Sequence, residues 1–424
     1  WGPLRAGVGT SANQIIVGRA VMGLGGAFVM PSTLSILTNV FPPHERARAI
    51  GVWAGVAGAA GAIGPIVSGF LLEHFWWGSI FFVNLPVVAI ALLGGYVLVP
   101  TSRDPEHARL DLPGAALSIG AVGTLVYGII EAPQHGWLAP VTLATFAGAI
   151  LFGVAFALRE LRTEAPMLDL RYFRRRGFSG GSIAISMMFF GMFGMFFLVT
   201  QYFQLVKGWS ALSTGFRTLP FAITMMVAAP SSAQLAARFG TKRVVASGVA
   251  VAGLGLLTLS RAGVGTSYGY LAVALVILAA GMGLTMAPST AAIMSSLPLA
   301  KAGVGSAMND TNRELGGAVG VAVLGSILAS TYDRSLDTVL AGVPPEAASV
   351  ARSSLGGALE VAQRLGLPEL ATAARSSFTD AMGLALTVGA VVALSASVIV
   401  AIVLPQHIGT SEEQERYGGH EVED

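Results

Sequence analysis

The sequence has no cysteine and few charged residues. Of its 424 residues, 54% are hydrophobic and only 11% are charged. Without cysteine the chain has no disulfide, no thiol nucleophile and no cysteine metal site. The net charge is only +2, so we expect no nucleic-acid partner. The six histidines lack the spacing of a metal site: they are His44, His74, His107, His135, His407 and His420.

Long apolar runs are the main feature of the chain. The mean hydropathy is +0.70, which is more apolar surface than a water-soluble fold can bury. Runs of about 20 apolar residues recur, each long enough to cross a bilayer as a helix. The fold class is therefore all-α integral membrane. The eleven predicted spans are 14–37, 47–71, 79–99, 111–131, 139–158, 178–205, 213–236, 243–260, 267–292, 303–330 and 377–404.

The basic residues indicate how the helices cross the membrane. If the first helix runs from outside to inside, fifteen of the 25 Lys and Arg fall in inner loops or the tail and seven fall outside. Cytoplasmic loops carry an excess of Lys and Arg, so we predict this orientation. The basic stretch 159–178 is then the longest inner connection, 331–376 is an outer loop, and the acidic residues 405–424 form a cytoplasmic tail.

Two segments 257 residues apart resemble each other. "GAFVMPSTLSI" begins at Gly26 and "GLTMAPSTAAI" begins at Gly283, and Gly, Pro, Ser and Thr recur at the same places. Both segments lie toward the inner ends of helices predicted to run from outside to inside. A repeat that keeps its direction indicates two bundles related by an axis along the membrane normal.

Small residues form a stripe on the predicted helix 47–71. They are three or four residues apart and so share one helical face. A face without large side chains lets another helix backbone approach closely, and the proline in the stripe favours a kink. The stripe consists of Gly51, Gly55, Gly58, Ala62, Pro65 and Gly69.

Part of this stripe resembles a known motif. "GAIGPIVSGF" (61–70) is similar to the antiporter motif of drug-exporting members of the major facilitator superfamily. Two positions depart from that pattern: Ser68 stands in place of the first paired glycine, and Ala60 in place of an earlier one. The resemblance assigns the motif to Gly61, Gly64, Pro65 and Gly69.

Other segments extend the resemblance over nearly the whole chain. "IIVGRAVMGLGGA" (15–27) is similar to the fourth-helix motif, whose arginine falls on Arg19, and "ARFGTKRVV" (237–245) to the second inner-loop motif. "HFWWGSIFFVNLPV" (74–87) and "NDTNRELGGAVGVAVLG" (309–325) resemble the fourteen-span drug:proton antiporters of the EmrB/QacA type.

This resemblance implies the major facilitator fold, with two pseudo-symmetric helical bundles and two extra central helices. Eleven of fourteen spans would be present, with three missing from a truncated N-terminus, since the chain begins with Trp1. Residues 1–99 would form the C-terminal half of the first bundle, 100–177 the two linking helices and the inner loop, and 178–404 the second bundle.

The segment "AMNDTNRELGG" (307–317) places two acids and a base in an apolar helix. Asp310 and Glu314 share one helical face, and Arg313 lies three residues from Asp310, where it can pair with it. Glu314 is about 16 Å from the inner helix end at 1.5 Å per residue. Charges at that depth are costly unless they pair, protonate or face a water-filled cavity. We predict that Asp310, Arg313 and Glu314 couple transport to protons, and the alternative is a static Asp310–Arg313 pair that locks helix packing.

Two further sets of residues are candidates for the transport site. The resemblance implies that Arg19 also takes part in proton coupling, and the alternative is that it extends to the membrane interface. The Met- and Phe-rich stretch 186–204 suits an adaptable cavity for flat lipophilic cations, although such residues also face lipid. The candidate cavity residues are Met188, Met192, Met195, Phe196 and Gln201.

We therefore predict a multi-pass exporter of the bacterial cytoplasmic membrane that exchanges protons for lipophilic, cationic drugs by alternating access. Its energy source would be the proton gradient, because "GxxxxGK[ST]" does not occur and no other cofactor is expected. Lipid, protons, the drug and a periplasmic adaptor complete the expected partners. The alternatives are a dedicated exporter of an endogenous antibiotic, siderophore or amino acid, and a non-transporting remnant or sensor. An enzyme is not expected, because no catalytic groups cluster at membrane depth.

Overall fold

The computed structural model describes residues 12–98, 111–163, 166, 168–298, 301–337, 339–340 and 343–406, and this part of the chain is helical. A 3₁₀ helix at Leu170–Arg174 and a π-helical turn at Tyr202–Val206 accompany the α-helices. The α-helices are α1 (Ala12–Val40), α2 (Pro43–His74), α3 (Ser79–Phe82), α4 (Asn84–Leu98), α5 (Leu112–His135), α6 (Pro140–Arg162), α7 (Arg176–Gln201), α8 (Ala211–Arg217), α9 (Leu219–Phe239), α10 (Thr241–Leu259), α11 (Tyr268–Ser295), α12 (Ala302–Ser335), α13 (Pro345–Ser353), α14 (Leu355–Leu365) and α15 (Pro368–Val403).

The predicted spans fall on these helices. Ten helical segments of the described residues are long and apolar enough to cross a membrane. The predicted span 47–71 lies within the 32-residue α2, which contains Pro65. The all-helical fold is thus confirmed, while the number of spans stays a prediction.

The outer connection is shorter than the predicted loop 331–376. Helix α12 continues to Ser335 and α15 begins at Pro368, a residue suited to the first turn of a helix. The residues between them include two short amphipathic helices, α13 and α14, which lack the long apolar run that hydropathy detects. The predicted tail lies almost wholly outside the described residues, which end at residue 406.

The helices form two groups and a linking pair. We call α1–α4 the first group and α7–α15 the second group. The two groups are in contact, because α1 packs against α12 and α2 packs along α8 and α9. The linking helices α5 and α6 pack on each other, and α5 also contacts α12. The main core lies in the second group, around side chains such as Tyr202, Phe203 and Leu256.

The two copies of the repeat occupy comparable helices. The first copy lies inside α1, of 29 residues, and the second inside α11, of 28 residues. Each of these helices is followed by a longer one, α2 with 32 residues and α12 with 34. The matching order and lengths agree with two bundles built from a parallel repeat.

Candidate functional site

Helix α12 pairs Asp310 with Arg313, as the spacing predicts. Arg313 Nη1 donates to Asp310 Oδ1 at 3.3 Å, and the two side chains are only 13% and 14% exposed for Arg313 and Asp310. The other carboxyl oxygen, Asp310 Oδ2, is buried and has no hydrogen-bond partner among the described residues. A half-paired buried carboxylate is costly unless it binds a proton or water. This oxygen is therefore a suitable place for a proton.

Two aromatic rings flank the guanidinium of Arg313. Its Cζ lies 4.7 Å from the ring centre of Phe189 on α7 and 5.4 Å from that of Trp53 on α2. These distances are typical of cation–π contacts. Since Trp53 belongs to the first group and Phe189 to the second, the Arg313 side chain contacts both groups. Sequence reasoning missed both rings, because no spacing links residues on three separate helices.

Of the other two predicted coupling residues, Glu314 directly follows Arg313 in the chain, and Arg19 lies on another helix. Glu314 is exposed on α12, one turn beyond Asp310. Arg19 is exposed on α1, and no ion pair joins it to another residue in the described ranges. Their roles in coupling stay predictions. In the same described part of the chain, no three His, Asp or Glu side chains gather into a metal-binding group.

The motif end of the α2 stripe packs tightly against the second group. A Cβ at Gly69 would lie 2.6 Å from Leu212 Cα on α8, and a Cβ at Gly215 of α8 would lie 2.8 Å from the Pro65 carbonyl oxygen. Gly64 has open space around it. The surroundings of the fourth motif residue, Gly61, lie outside what the structure describes.

The inner end of the stripe makes a similar contact with α9. A Cβ at Gly51 would lie 3.4 Å from Pro230 Cα, and one at Gly55 would lie 3.2 Å from the Pro230 ring. The close backbone approach predicted from the stripe is therefore observed at both ends, and it joins the two helix groups along α2.

We expect Gly69→Ala to slow transport, because its new methyl group would meet the backbone of Leu212 and push α2 from α8. Overpacking of this kind costs about 1–3 kcal/mol in free energy of unfolding. Gly64→Ala is the matched packing control in the same motif: nothing lies within 4 Å of its new Cβ, so its melting temperature should equal that of wild type. The measurement is the initial rate of drug export beside the melting temperature of each variant. Equal rates and melting temperatures for the two variants would show that α2 and α8 do not approach this closely.

The predicted cavity residues on α7 occupy two environments. Met188 and Met195 are 4% and 0% exposed and belong to the core of the second group. Met192 and Phe196 are half-buried, and the Phe196 ring packs edge-on against a ring of α9 at 5.1 Å. Gln201 bonds to a carbonyl of its own helix at 3.1 Å. Contact of these residues with substrate stays a prediction.

A cavity of about 460 Å³ opens near the inner ends of α1 and α2. Its wall is mainly apolar and includes one acid and one base, a composition suited to an amphipathic molecule. Trp53 belongs to this wall and also flanks Arg313, so it joins the cavity to the charged pair. The lining residues are Leu37, Phe41, Glu45, Arg48, Ala49, Val52 and Trp53.

An ion pair fastens the linking helices at their inner ends. Arg159 Nη2 lies 2.7 Å from Asp111 Oδ1, and its Nε donates to the same carboxylate at 2.9 Å and 3.1 Å. Asp111 also accepts from the Gly114 backbone N–H at 3.0 Å and so caps α5. The hydrogen bonds from Arg159 hold the pKa of Asp111 below its usual value. The neighbouring Glu160 accepts from the Leu168 N–H at 2.7 Å and ties the inner loop to this pair.

Long apolar helices in two related groups, with a charged pair where they meet, define a membrane transporter rather than an enzyme. The family comparison agrees with this class. The chain belongs to the major facilitator superfamily, whose family model matches residues 3–321. It is thus a multi-pass transporter of the bacterial cell membrane.

Two relatives and one solved structure illustrate this membership. The chain is 36% identical over 356 residues to the multidrug efflux pump LfrA of Mycolicibacterium smegmatis, covering 84% of this chain and 70% of that protein. It is 35% identical over 403 residues to the tetracenomycin C resistance and export protein of Streptomyces glaucescens, covering 93% and 75%. A bacterial homologue of the human lysosomal transporter Spinster, solved in an inward-facing and unoccupied conformation, has a TM-score of 0.58 and 16% identity over 95% of this chain and 80% of that one. The last similarity concerns the fold alone.

Proposed function

We propose that the chain exports lipophilic, cationic drugs in exchange for protons. The observation that carries this proposal is the Asp310–Arg313 pair, with Asp310 Oδ2 buried and unpaired where the two helix groups meet. The similarity to LfrA and to the tetracenomycin C export protein supports a drug as the substrate. The mainly apolar lining of the inner cavity supports an amphipathic substrate, for which Glu45 offers a counter-charge to a cation and Arg48 one to an anion.

The pair suggests how the exchange works. When Asp310 is ionised, it balances the charge of Arg313. When Asp310 takes up a proton, that ion pair is lost, and Arg313 is left with the Trp53 and Phe189 rings and the neighbouring Glu314 carboxylate. Because those rings belong to different helix groups, a change at Asp310 alters a contact across the interface. Alternating access requires such a link between proton binding and the relative position of the two groups. The membrane potential contributes roughly 2.3 kcal/mol per charge per 100 mV.

We also propose that the chain has the fourteen-span architecture, in which three further helices precede α1. The support is the linking pair α5–α6, which stands between the two groups in sequence. Helix α5 joins the second group through Ser326 of α12, whose hydroxyl donates to the Ile129 carbonyl at 2.8 Å.

Export of an endogenous antibiotic is the second candidate function. It is favoured by the similarity to the tetracenomycin C resistance and export protein, which covers 93% of this chain. The fold and the proton site would be the same, and only the substrate would differ. A periplasmic adaptor stays a prediction.

The test uses everted membrane vesicles that contain the full-length protein and an inside-acid proton gradient. We expect added ethidium to collapse the gradient in wild-type vesicles and not in vesicles with Asp310→Asn. Collapse by tetracenomycin-like compounds alone would favour the second candidate. No collapse with either class of compound would remove the proposed antiport.

A further inference from the structure

Five buried polar residues lie at one depth inside the second helix group. Each lies five to ten residues from the end of its helix that the predicted orientation places at the inner side. This separation is about 8–15 Å at 1.5 Å per residue. None is more than 4% exposed. We call this set the polar layer; it consists of Ser182 on α7, Ser289 and Thr290 on α11, and Asn309 and Asn312 on α12.

The register of α7 against α12 predicts that two members of the layer face each other. These helices run in parallel, and Gly316 of α12 lies against the carbonyl of Ser186 on α7. The residue numbers in this contact differ by 130, and the glycine contact one helical turn further along has the same difference. One turn back, the same offset places Asn312 opposite Ser182.

Helix α11 completes the layer from the third side. A Cβ at Gly181 of α7 would lie 2.7 Å from the Ser289 carbonyl oxygen, so these backbones touch beside Ser182. On the other side of α11, Thr290 Oγ1 donates to Asn309 Oδ1 at 3.1 Å. The three helices therefore enclose the layer.

Most of these polar groups lack a protein partner. Within the described ranges, eight buried side-chain nitrogen or oxygen atoms make no hydrogen bond, and four of them belong to the layer. A fifth, Asp310 Oδ2, is on the residue next to Asn309. Buried polar atoms are nearly always bonded to protein or to water, and such waters commonly make about three hydrogen bonds. The four atoms are Ser182 Oγ, Ser289 Oγ, Asn309 Nδ2 and Asn312 Nδ2.

We propose that the polar layer binds a chain of water molecules that carries protons between the inner side and Asp310. This inference rests on the proposed function, in which Asp310 is the coupling acid. The amide groups donate to water oxygens, and the serine hydroxyls donate or accept. During export, the first transfer moves the proton from Asp310 Oδ2 to the adjacent water. Each later transfer breaks an O–H bond of one water and forms one on the next, and the last transfer releases a proton at the inner side. When Asp310 is ionised, its Oδ1 accepts the hydrogen bond from Arg313.

This arrangement separates the path of the proton from that of the drug. The layer lies within the second group, between α7, α11 and α12. The inner cavity lies between α1 and α2 in the first group, on the other side of Trp53. Changes in the layer should therefore slow proton movement without weakening drug movement.

The experiment compares two assays on the full-length protein in proteoliposomes. The first assay is drug uptake driven by a proton gradient, and the second is exchange of labelled for unlabelled ethidium, which needs no net proton movement. We expect both Asn312→Leu and the smaller change Ser182→Ala to slow the proton-driven rate. The rate of Asn312→Leu should fall by roughly 10²-fold, as for a lost proton-transfer group. The exchange rate should stay at the wild-type value.

Ser232→Ala is the matched control. Ser232 is fully buried on α9, but its hydroxyl donates to the Ala229 carbonyl of its own helix at 2.6 Å. Removing the Ser232 hydroxyl affects only the Ala229 carbonyl, which is already bonded within the helix. The polar layer does not change. Both rates should equal those of wild type.

Four outcomes distinguish the alternatives. A dry layer predicts that Asn312→Leu keeps the proton-driven rate and raises the melting temperature, since an unpaired amide is replaced by an apolar group of similar size; this overturns the water chain. Equal losses in both assays for Ser182→Ala would also overturn it, as a packing effect. If Asp310→Asn stops proton-driven uptake and neither layer variant does, only the water chain fails. If Asp310→Asn has no effect, the coupling role of Asp310 in the proposed function fails, and the melting temperatures still show whether the layer holds water.

Discussion

Asp310→Asn is expected to abolish proton-driven drug export while leaving drug–drug exchange in place. Asparagine has nearly the same shape but cannot take up and release a proton. Asp310 is also the ion-pair partner of Arg313, at 3.3 Å, so a change in its charge directly affects the guanidinium. A positioned proton-transfer group is worth roughly 10²–10⁴-fold in rate, and we expect proton-driven export to fall by at least the lower figure. The measurement is the steady-state drug gradient in proteoliposomes with and without a proton gradient.

The controls separate lost coupling from lost folding. The variant leaves Arg313 without its counter-ion, so its melting temperature and drug–drug exchange must be measured beside the gradient. Asp310→Glu keeps the acid and should restore part of the coupling. A normal drug gradient in Asp310→Asn would assign the proton to another group, and Glu314→Gln would then be the variant to examine.

The sequence predicts the charged pair and the tight stripe because both are local. Asp310 and Arg313 are three residues apart on one helix, and helical geometry alone brings them within reach. The stripe that contains Gly69 is likewise a periodic pattern on one helix, and it only requires a partner backbone to approach. Hydropathy locates the long helices for the same reason.

The surroundings of the site depend on tertiary packing, which local patterns do not contain. Trp53 and Phe189 reach Arg313 from two other helices. Phe189 lies in the Met- and Phe-rich stretch 186–204, but no local pattern links either ring to Arg313. The polar layer is equally hidden, because Ser182 and Asn312 are single uncharged residues in apolar helices. Only the offset between α7 and α12 puts these two residues opposite each other.

That offset itself can be tested, and Gly316→Ala is expected to lower stability strongly. A Cβ at Gly316 would lie 2.9 Å from both the carbonyl carbon and the Cα of Ser186. Both are backbone atoms, so α7 and α12 must move apart to admit the methyl group. Overpacking costs about 1–3 kcal/mol in free energy of unfolding, and more when the neighbour cannot yield. Thermal unfolding in detergent and the yield of folded protein measure this effect.

Gly303→Ala supplies the matched control on the same helix. Gly303 is exposed, with nothing within 4 Å of a new Cβ. Alanine there gains up to about 1 kcal/mol in helix propensity, so its melting temperature should equal or exceed that of wild type. The two variants make the same chemical change and differ only in what the methyl group meets.

Because separating α7 from α12 also moves Phe189 away from Arg313, Gly316→Ala should lose proton-driven export as well as stability. A Gly316→Ala protein as stable and active as Gly303→Ala would mean that α7 and α12 do not pack in this register, and the polar layer would lose its geometric basis.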